Sequence, residues 1–312
     1  MHTIILFYKY VPIEYPKQIQ KWLAQLCTNF GFKGRILLGH EGINATIGGS
    51  REHIERFKQI LNNHPLFNTI DFKESAGSAD DFPRMQIKIR TEIVTLGIDP
   101  KLLPVTEGGM HLTPREAHEL IAQKPENLVV LDARNTCESK IGAFEGAVKP
   151  TIDHFREFPA YIDEHAAAFA GKQVLMYCTG GIRCERASAY VKKHTDAREV
   201  YQIAGGIHRY VEQYPDGYFR GKNYVFDGRV AVRINDDVLA DCILCHTPCD
   251  DYANCRNATC NKHFICCDIC LDVYQSTCST TCKELVAAQK VQARTSDVRA
   301  HNRPNIRTSA TP

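Results

Sequence analysis

The stretch QVLMYCTGGIRCERASAYVKKH, residues 173–194, decides how the middle of this chain folds. An apolar run of strand length, Gln173 to Tyr177, meets the loop Cys178, Thr179, Gly180, Gly181, Ile182 and Arg183, and helical spacing begins there. Strand, tight loop and helix in immediate succession form the repeating unit of a parallel sheet. The neighbouring segments extend the pattern: LVVLDAR (128–134) reads as a strand and FPAYIDEHAAAF (158–169) as a helix. EVYQIAG (199–205) is a further strand and GIHRYVEQY (206–214) a further helix. Thr113 opens the series as the N-cap of a Thr-x-x-Glu capping box with Glu116, with Pro114 at the first helical position. The alternation predicts a parallel sheet covered by helices on both faces.

In such a sheet, reactive groups collect at the carboxyl ends of strands, where Cys178 stands. Residues 179–183 can curl so that successive amides point inward, with Arg183 adding positive charge at the start of a helix. A thiol in that cradle is stabilised as thiolate and becomes a nucleophile. The other reading is a buried cysteine beside an ordinary glycine turn. Cys184, one residue past Arg183, is placed either to resolve a persulfide or disulfide or to be an inert residue of the helix.

The flanking regions differ. TIILFYKY (3–10), QIQKWLAQLCTNF (18–30), GRILLGHEGINATIGG (34–49), EHIERFKQIL (52–61), FNTIDFKES (67–75) and RMQIKIRTEIVTL (84–96) predict a βαββαβ ferredoxin-like sandwich with an extra hairpin strand. Glu41 and Asn44 stand between its glycines at a bulge or turn. IDPKLLPVTEGGMHL (98–112) reads as a linker. Ten of the fourteen cysteines fall between Cys242 and Cys282, which points to metal binding where no export signal marks the chain as secreted. Cys242-x2-Cys245 and Cys267-x2-Cys270 are two knuckles able to share one tetrahedral ion. Cys249, Cys255, Cys260, Cys266, Cys278 and Cys282 permit a second ion or a cluster with several pairings, and His246 and His263 are spare ligands or surface residues. Structural zinc is expected, because closed thiolate sites are usually zinc and a region so poor in large apolar residues needs a staple.

The formal charge of +2 on 312 residues leaves any basic surface to local clustering. A basic tail is expected from Lys290, with Arg294, Arg299, Arg303 and Arg307 against Asp297. The first residues read as a strand, too short for a membrane span and without a leader pattern, so a cytoplasmic protein without membrane association is expected. No organic cofactor is visible: there is no dinucleotide fingerprint, no haem motif and no two-histidine-one-carboxylate set at convincing spacing.

Residues 113–215 resemble the rhodanese homology domain through VVLDARNTCE (129–138) with Asp132, Arg134 and Glu138, EGAVKP (145–150), the six-residue loop from Cys178 to Arg183, and AGGIHRY (204–210). The resemblance puts Cys178 at the persulfide-forming position and makes Asp132 and Arg134 structural or site-ordering. Nearly the whole chain resembles the narrower family of rhodanese-containing tRNA uridine hydroxylases, through LGHEGINATIGG, CTGGIRCERASAY, AGGIHRY, GKNYVFDGR (221–229) and the cysteine-rich stretch beginning TPCDDYANC (247–255). That resemblance implies oxygen-dependent conversion of the wobble uridine of tRNA to 5-hydroxyuridine, with the loop cysteine required, molecular oxygen as co-substrate and tRNA as partner. A rhodanese-type sulfurtransferase carrying a persulfide on Cys178 is the alternative, and a zinc-stabilised RNA-binding adaptor without catalysis is a third reading.

The expected fold is therefore a multidomain α/β protein. A ferredoxin-like, acylphosphatase-like α+β domain occupies 1–97, a linker 98–112, a rhodanese-like parallel-sheet α/β domain 113–219, a cysteine-rich metal-stapled region 220–286 and a flexible basic tail 287–312.

Overall fold

The structure, a computed structural model, describes residues 2–294. Its N-terminal part runs β1 (His2–Tyr10), α1 (Pro16–Asn29), β2 (Lys33–Gly39), β3 (Gly42–Ser50), α2 (Arg51–Asn62) and β4 (Lys73–Ala76). The strands lie in the order β4-β1-β3-β2, each antiparallel to its neighbour, which is the ferredoxin-like arrangement. The additional strand, β5 (Met85–Ile89), is not the expected hairpin strand: it adds parallel to the outer edge of β2.

Alternation along β1 sorts its side chains by face. Ile5 and Phe7 point to a core shared with Leu23 of α1, Ile36 and Leu38 of β2, Ile47 of β3, and Ile54 and Phe57 of α2. Leu6, Tyr8 and Tyr10 are left on the opposite face. Helix α2 begins where the Ser50 hydroxyl accepts the amide of His53 at 3.3 Å. The β2–β3 hairpin turns at His40 and Glu41, and Gly42 is required there: its φ is +148°, and a Cβ would lie 2.1 Å from the Lys9 carbonyl oxygen. Glu41 and Asn44 hold both backbone groups of one residue. The Glu41 carboxylate accepts the Ile93 amide at 2.6 Å and the Asn44 amide donates to the Ile93 carbonyl at 2.9 Å.

The second sheet contains β6 (Met110–Leu112), β7 (Leu128–Asp132), β9 (Gln173–Tyr177) and β10 (Glu199–Ile203), all parallel, in the order β6-β10-β9-β7. The short α4 (Thr136–Ser139) and β8 (Gly142–Phe144), which is not part of this sheet, follow β7 in the chain. Helices α3 (Pro114–Gln123) and α7 (Gly206–Gln213) pack together, as do α5 (Phe158–Glu164) and α6 (Ile182–His194). The capping box forms in full: the Thr113 hydroxyl accepts the Glu116 amide, and the Glu116 carboxylate accepts the Thr113 amide at 2.7 Å.

The expected linker is corrected. Residues 110–112 form the edge strand β6, with His111 opposite Gln202, and Leu96 and Leu103 are buried in the core of the parallel sheet with Val174, Met176 and Val191. Prolines and a Gly-Gly pair mark turns, but Leu103 between them is buried, while Leu102 and Met110 stay exposed.

Among the described residues, a separate compact unit comprises Lys140–Gly142 and residues 220–294. Strand β11 (Phe219–Tyr224) pairs with β12 (Ala231–Arg233), Lys222 opposite Arg233, and both of these cations bind the buried Asp250, at 2.6 and 2.8 Å. β13 (Tyr252–Asn254) and β14 (His263–Ile265) form a second hairpin, followed by α8 (Asp268–Val273) and α9 (Thr280–Ala287). Residues 288–290 are exposed, but the chain then returns to the unit: Arg294 is buried, its guanidinium bonded to Asn261 and to the Cys255 carbonyl, and so does not belong to the expected tail. The rest of that tail, 295–312, lies outside the described residues. Among the described residues no helix is long and apolar enough to cross a membrane.

Packing should dominate the stability of the N-terminal domain. Phe57→Ala is expected to cost about 3–5 kcal/mol and Ser50→Ala about 1 kcal/mol. Urea unfolding followed by the fluorescence of Trp22, the one tryptophan, measures both; equal losses would contradict this ordering.

Candidate active site and metal centres

Cys178 directly follows β9 and is fully buried. Its loop closes because the start of α7 reaches back to it. The Ile207 amide donates to the Cys178 carbonyl at 3.0 Å and the His208 amide to the Thr179 carbonyl at 3.1 Å. This approach requires Gly206, with φ +63°, since a Cβ there would stand 2.3 Å from the Cys178 carbonyl oxygen. The curled loop then aims the Gly181 amide at the Cys178 sulfur, 3.2 Å away. Burial works against a thiolate here, but the Cys184 thiol, the Arg183 charge and the amides of residues 183 and 184 outweigh it, and the Cys178 pKa falls to about 6. Cys184 is the hydrogen-bond donor in this pair; burial and the neighbouring sulfur hold its own thiol well above the ordinary range.

Arg183 is placed differently from the free charge that the loop sequence suggests. Its guanidinium grips the carboxylate of Glu138 with two hydrogen bonds of 2.6 Å, and the Thr179 hydroxyl donates to the same carboxylate at 3.2 Å. Burial pushes Glu138 toward its neutral form, yet Arg183 prevails and holds it below the usual carboxylate range. Asp132 and Arg134 form a second buried pair, at 2.9 and 2.7 Å, and Asp132 also accepts the Tyr177 hydroxyl at 2.7 Å. They tie the end of β7 to the end of β9 and so fix the strand from which Cys178 projects.

Residues that the sequence reading missed come from the N-terminal domain. The second face of β1 lies over the loop: the Tyr8 hydroxyl donates to Glu185 at 2.8 Å, the Tyr10 hydroxyl to the Ile182 carbonyl at 3.5 Å, and a Cβ on Gly180 would meet Leu6 at 2.7 Å. The strict alternation of TIILFYKY is the available signal, but it cannot say what the second face covers.

The cysteine-rich unit assembles two groups of four thiols. Cys242, Cys245, Cys267 and Cys270 form one, and Cys255, Cys260, Cys278 and Cys282 the other, each with its four sulfurs within 4.8 Å of one another. Cys249 and Cys266, both buried, join neither group, and neither do His246 and His263. His263 instead stacks on Tyr252 at 4.2 Å, with burial lowering its pKa to about 4. Local geometry supports each set: Cys267 caps α8 by accepting the Cys270 amide, and the Asn257 amide donates to Cys282 at 3.4 Å. Four sulfurs and nothing else is a donor set that fits a closed tetrahedral metal site.

Alkylation of Cys178 should rise with pH through an inflection near 6. In Arg183→Ala the inflection should move up, and the fold should lose about 3–5 kcal/mol because Glu138 is left buried without its cation. Glu138 has a depressed pKa, so the pair stabilises fully above the ordinary glutamate range and the contribution disappears as pH falls through the depressed value. The stability deficit of the variant should therefore shrink in acid. Peptide-resolved iodoacetamide labelling and urea melts at several pH values measure these effects, and an unmoved inflection would show that Arg183 exerts no field on the sulfur.

Residues 2–93 match the family described as UPF0176 acylphosphatase like domain, and residues 220–283 that described as Rhodanase C-terminal. Similar curated proteins include the tRNA uridine(34) hydroxylase of Kocuria rhizophila, 39% identical with 91% of this chain and 98% of the relative covered. That of Corynebacterium jeikeium is 39% identical, with 91% and 95% covered, and that of Bacillus cereus 36% identical, with 90% and 89% covered. Identity at this level, sustained over both chains nearly end to end, establishes that this chain belongs to the tRNA uridine(34) hydroxylase family.

Proposed function

We propose that this chain is an oxidoreductase that hydroxylates the wobble uridine of tRNA at carbon 5, giving 5-hydroxyuridine, with Cys178 as its reactive group. The observation that carries the reading is a cysteine at a strand end, dry, held by the Gly181 amide and the Cys184 thiol, and acidic enough to be a thiolate at neutral pH. The chemistry of uracil suits such a group. A thiolate adding at the electrophilic carbon 6 pushes the ring electron pair toward carbon 5 as an enolate, the carbon that must accept oxygen. Molecular oxygen is the co-substrate; one atom enters the base and the other leaves as water, with two electrons and two protons from an external reductant. Thr179, Gly180, Gly181, Ile182 and Arg183 shape the loop, Asp132 and Arg134 support it, and Cys184 polarises the sulfur.

The two thiolate groups hold structural zinc, which staples a unit with little apolar core. The protein works in the cytoplasm, where its tRNA substrate is found. RNA recognition falls to phosphate and base contacts outside the cysteine loop.

Nucleoside mass spectrometry of tRNA from cells lacking the protein tests the function. Loss of 5-hydroxyuridine and its derivatives, restored by the wild-type chain and not by Cys178→Ala, is expected. Unchanged nucleosides would remove the reading, and strong thiosulfate:cyanide turnover by the purified chain would favour sulfur transfer instead. Elemental analysis should find about two zinc ions per chain, one for each thiolate group; metal-free, reduced protein would refute the staple.

A further inference from the structure

We infer that Lys73 of the N-terminal domain is a positioning residue of the Cys178 site, a second cation that supports the thiolate in addition to Arg183. This rests on the reading of Cys178 as the reactive group and extends it to a residue outside the rhodanese-like domain.

Lys73 opens β4 and lies directly opposite Leu6 of β1, so the two share the sheet face that covers the cysteine loop. Its side chain is only 2% exposed. The stem runs along the glycines of the site: a Cβ on Gly180 would be 3.8 Å from Lys73 Cδ, and one on Gly205 would be 3.4 Å from Lys73 Cε. The ammonium stands 5.1 Å from the centre of the Tyr8 ring, and the Tyr8 hydroxyl would be 2.8 Å from a Cβ on Gly181. Nζ pairs with Asp71 at 2.8 Å, and Asp71 also binds Arg209, which pairs with Glu212 at 2.7 Å.

Burying a lysine ammonium is expensive, and a surface pair with Asp71 would not require it. Asp71 and Glu212 are 50% and 42% exposed, so water screens the carboxylates more than it screens the ammonium. The field that reaches the loop from this cluster is therefore cationic. Burial lowers the Lys73 pKa, while Asp71 and the Cys178 thiolate act to raise it.

Of the other groups facing Cys178, Arg183 alone adds positive charge, and it shares that charge with Glu138. From α6 come Arg183, already committed to Glu138, the Cys184 thiol, and Glu185, bonded to Tyr8. Tyr8 and Tyr10 of β1 are kept protonated, chiefly by burial. Next to Glu138, burial pushes the Cys137 thiol up to about 12. On α7, Arg209 points to Asp71, and the His208 backbone amide holds Thr179.

The test uses the full-length, metal-loaded chain and reads Cys178 labelling by iodoacetamide peptide by peptide between pH 5 and 9. Lys73→Met is expected to raise the inflection by about one unit, a reaction about fivefold slower at pH 6 and about ninefold slower at pH 5. Lys73→Arg should restore most of the rate, and Asp71→Asn should shift the inflection the opposite way by removing the screening carboxylate. A folded Lys73→Met with the wild-type profile overturns the inference. If Lys73→Met does not fold, an Asp71→Asn profile that is unmoved or shifted upward overturns it equally. A wild-type chain without a sub-neutral inflection refutes the reactive-cysteine reading itself, which separates the two failures.

Discussion

A sulfur anion kept away from water must find its stabilisation in fixed protein dipoles and charges, and the local fold around Cys178 is organised to provide them. The loop curls because α7 donates two amides back to the carbonyls of Cys178 and Thr179, and that contact is possible only with Gly206 in its left-handed conformation. Once curled, the loop turns the Gly181 amide and the Cys184 thiol toward the sulfur. AGGIHRY and CTGGIRC, 20 residues and more apart in sequence, thus serve as one device.

Two buried ion pairs surround this device with different tasks. Arg134 holds the Asp132 carboxylate at the end of β7, and the Tyr177 hydroxyl, donating to that carboxylate, joins β9 to it. Glu138 and Arg183 bind the short helix Thr136–Ser139 to the start of α6, so the guanidinium that gives the loop its positive character is also a structural tie. Removing one partner of such a pair strands the other in a low-dielectric interior, which couples site electrostatics to folding. The N-terminal domain adds the roof, because the face of β1 and β4 turned away from its own core carries Leu6, Tyr8, Tyr10 and Lys73.

The cysteine-rich unit obeys another logic. Around the cysteines, strands β13 and β14 are three residues long and helices α8 and α9 six and eight, too short to bury much apolar surface. Two sets of four thiols stand where a larger domain would have a core, beside a small buried group that includes Tyr224, Ala253, Phe264 and Ile265, and the Arg294 side chain and the Asp250 ion pairs add satisfied polar contacts.

The sequence by itself determined the order of elements, the capping box at Thr113, the strand-end position of Cys178 and the first metal knuckles, Cys242-x2-Cys245 with Cys267-x2-Cys270. These follow from periodicity and from spacings of a few residues, which short-range geometry controls. Resemblance in its motifs carried the family. Only the tertiary structure decided that residues 110–112 are an edge strand, that Glu138 claims Arg183, that Cys249 and Cys266 stand outside the second thiolate group, and that Tyr8 and Lys73 reach the cysteine loop. Each of these depends on which partner occupies the far side of a face or a charge, across 22 residues for Cys260 and Cys282 and across 45 for Glu138 and Arg183. Alternation in a strand tells which residues share a face; what that face covers is set by how the finished layers pack.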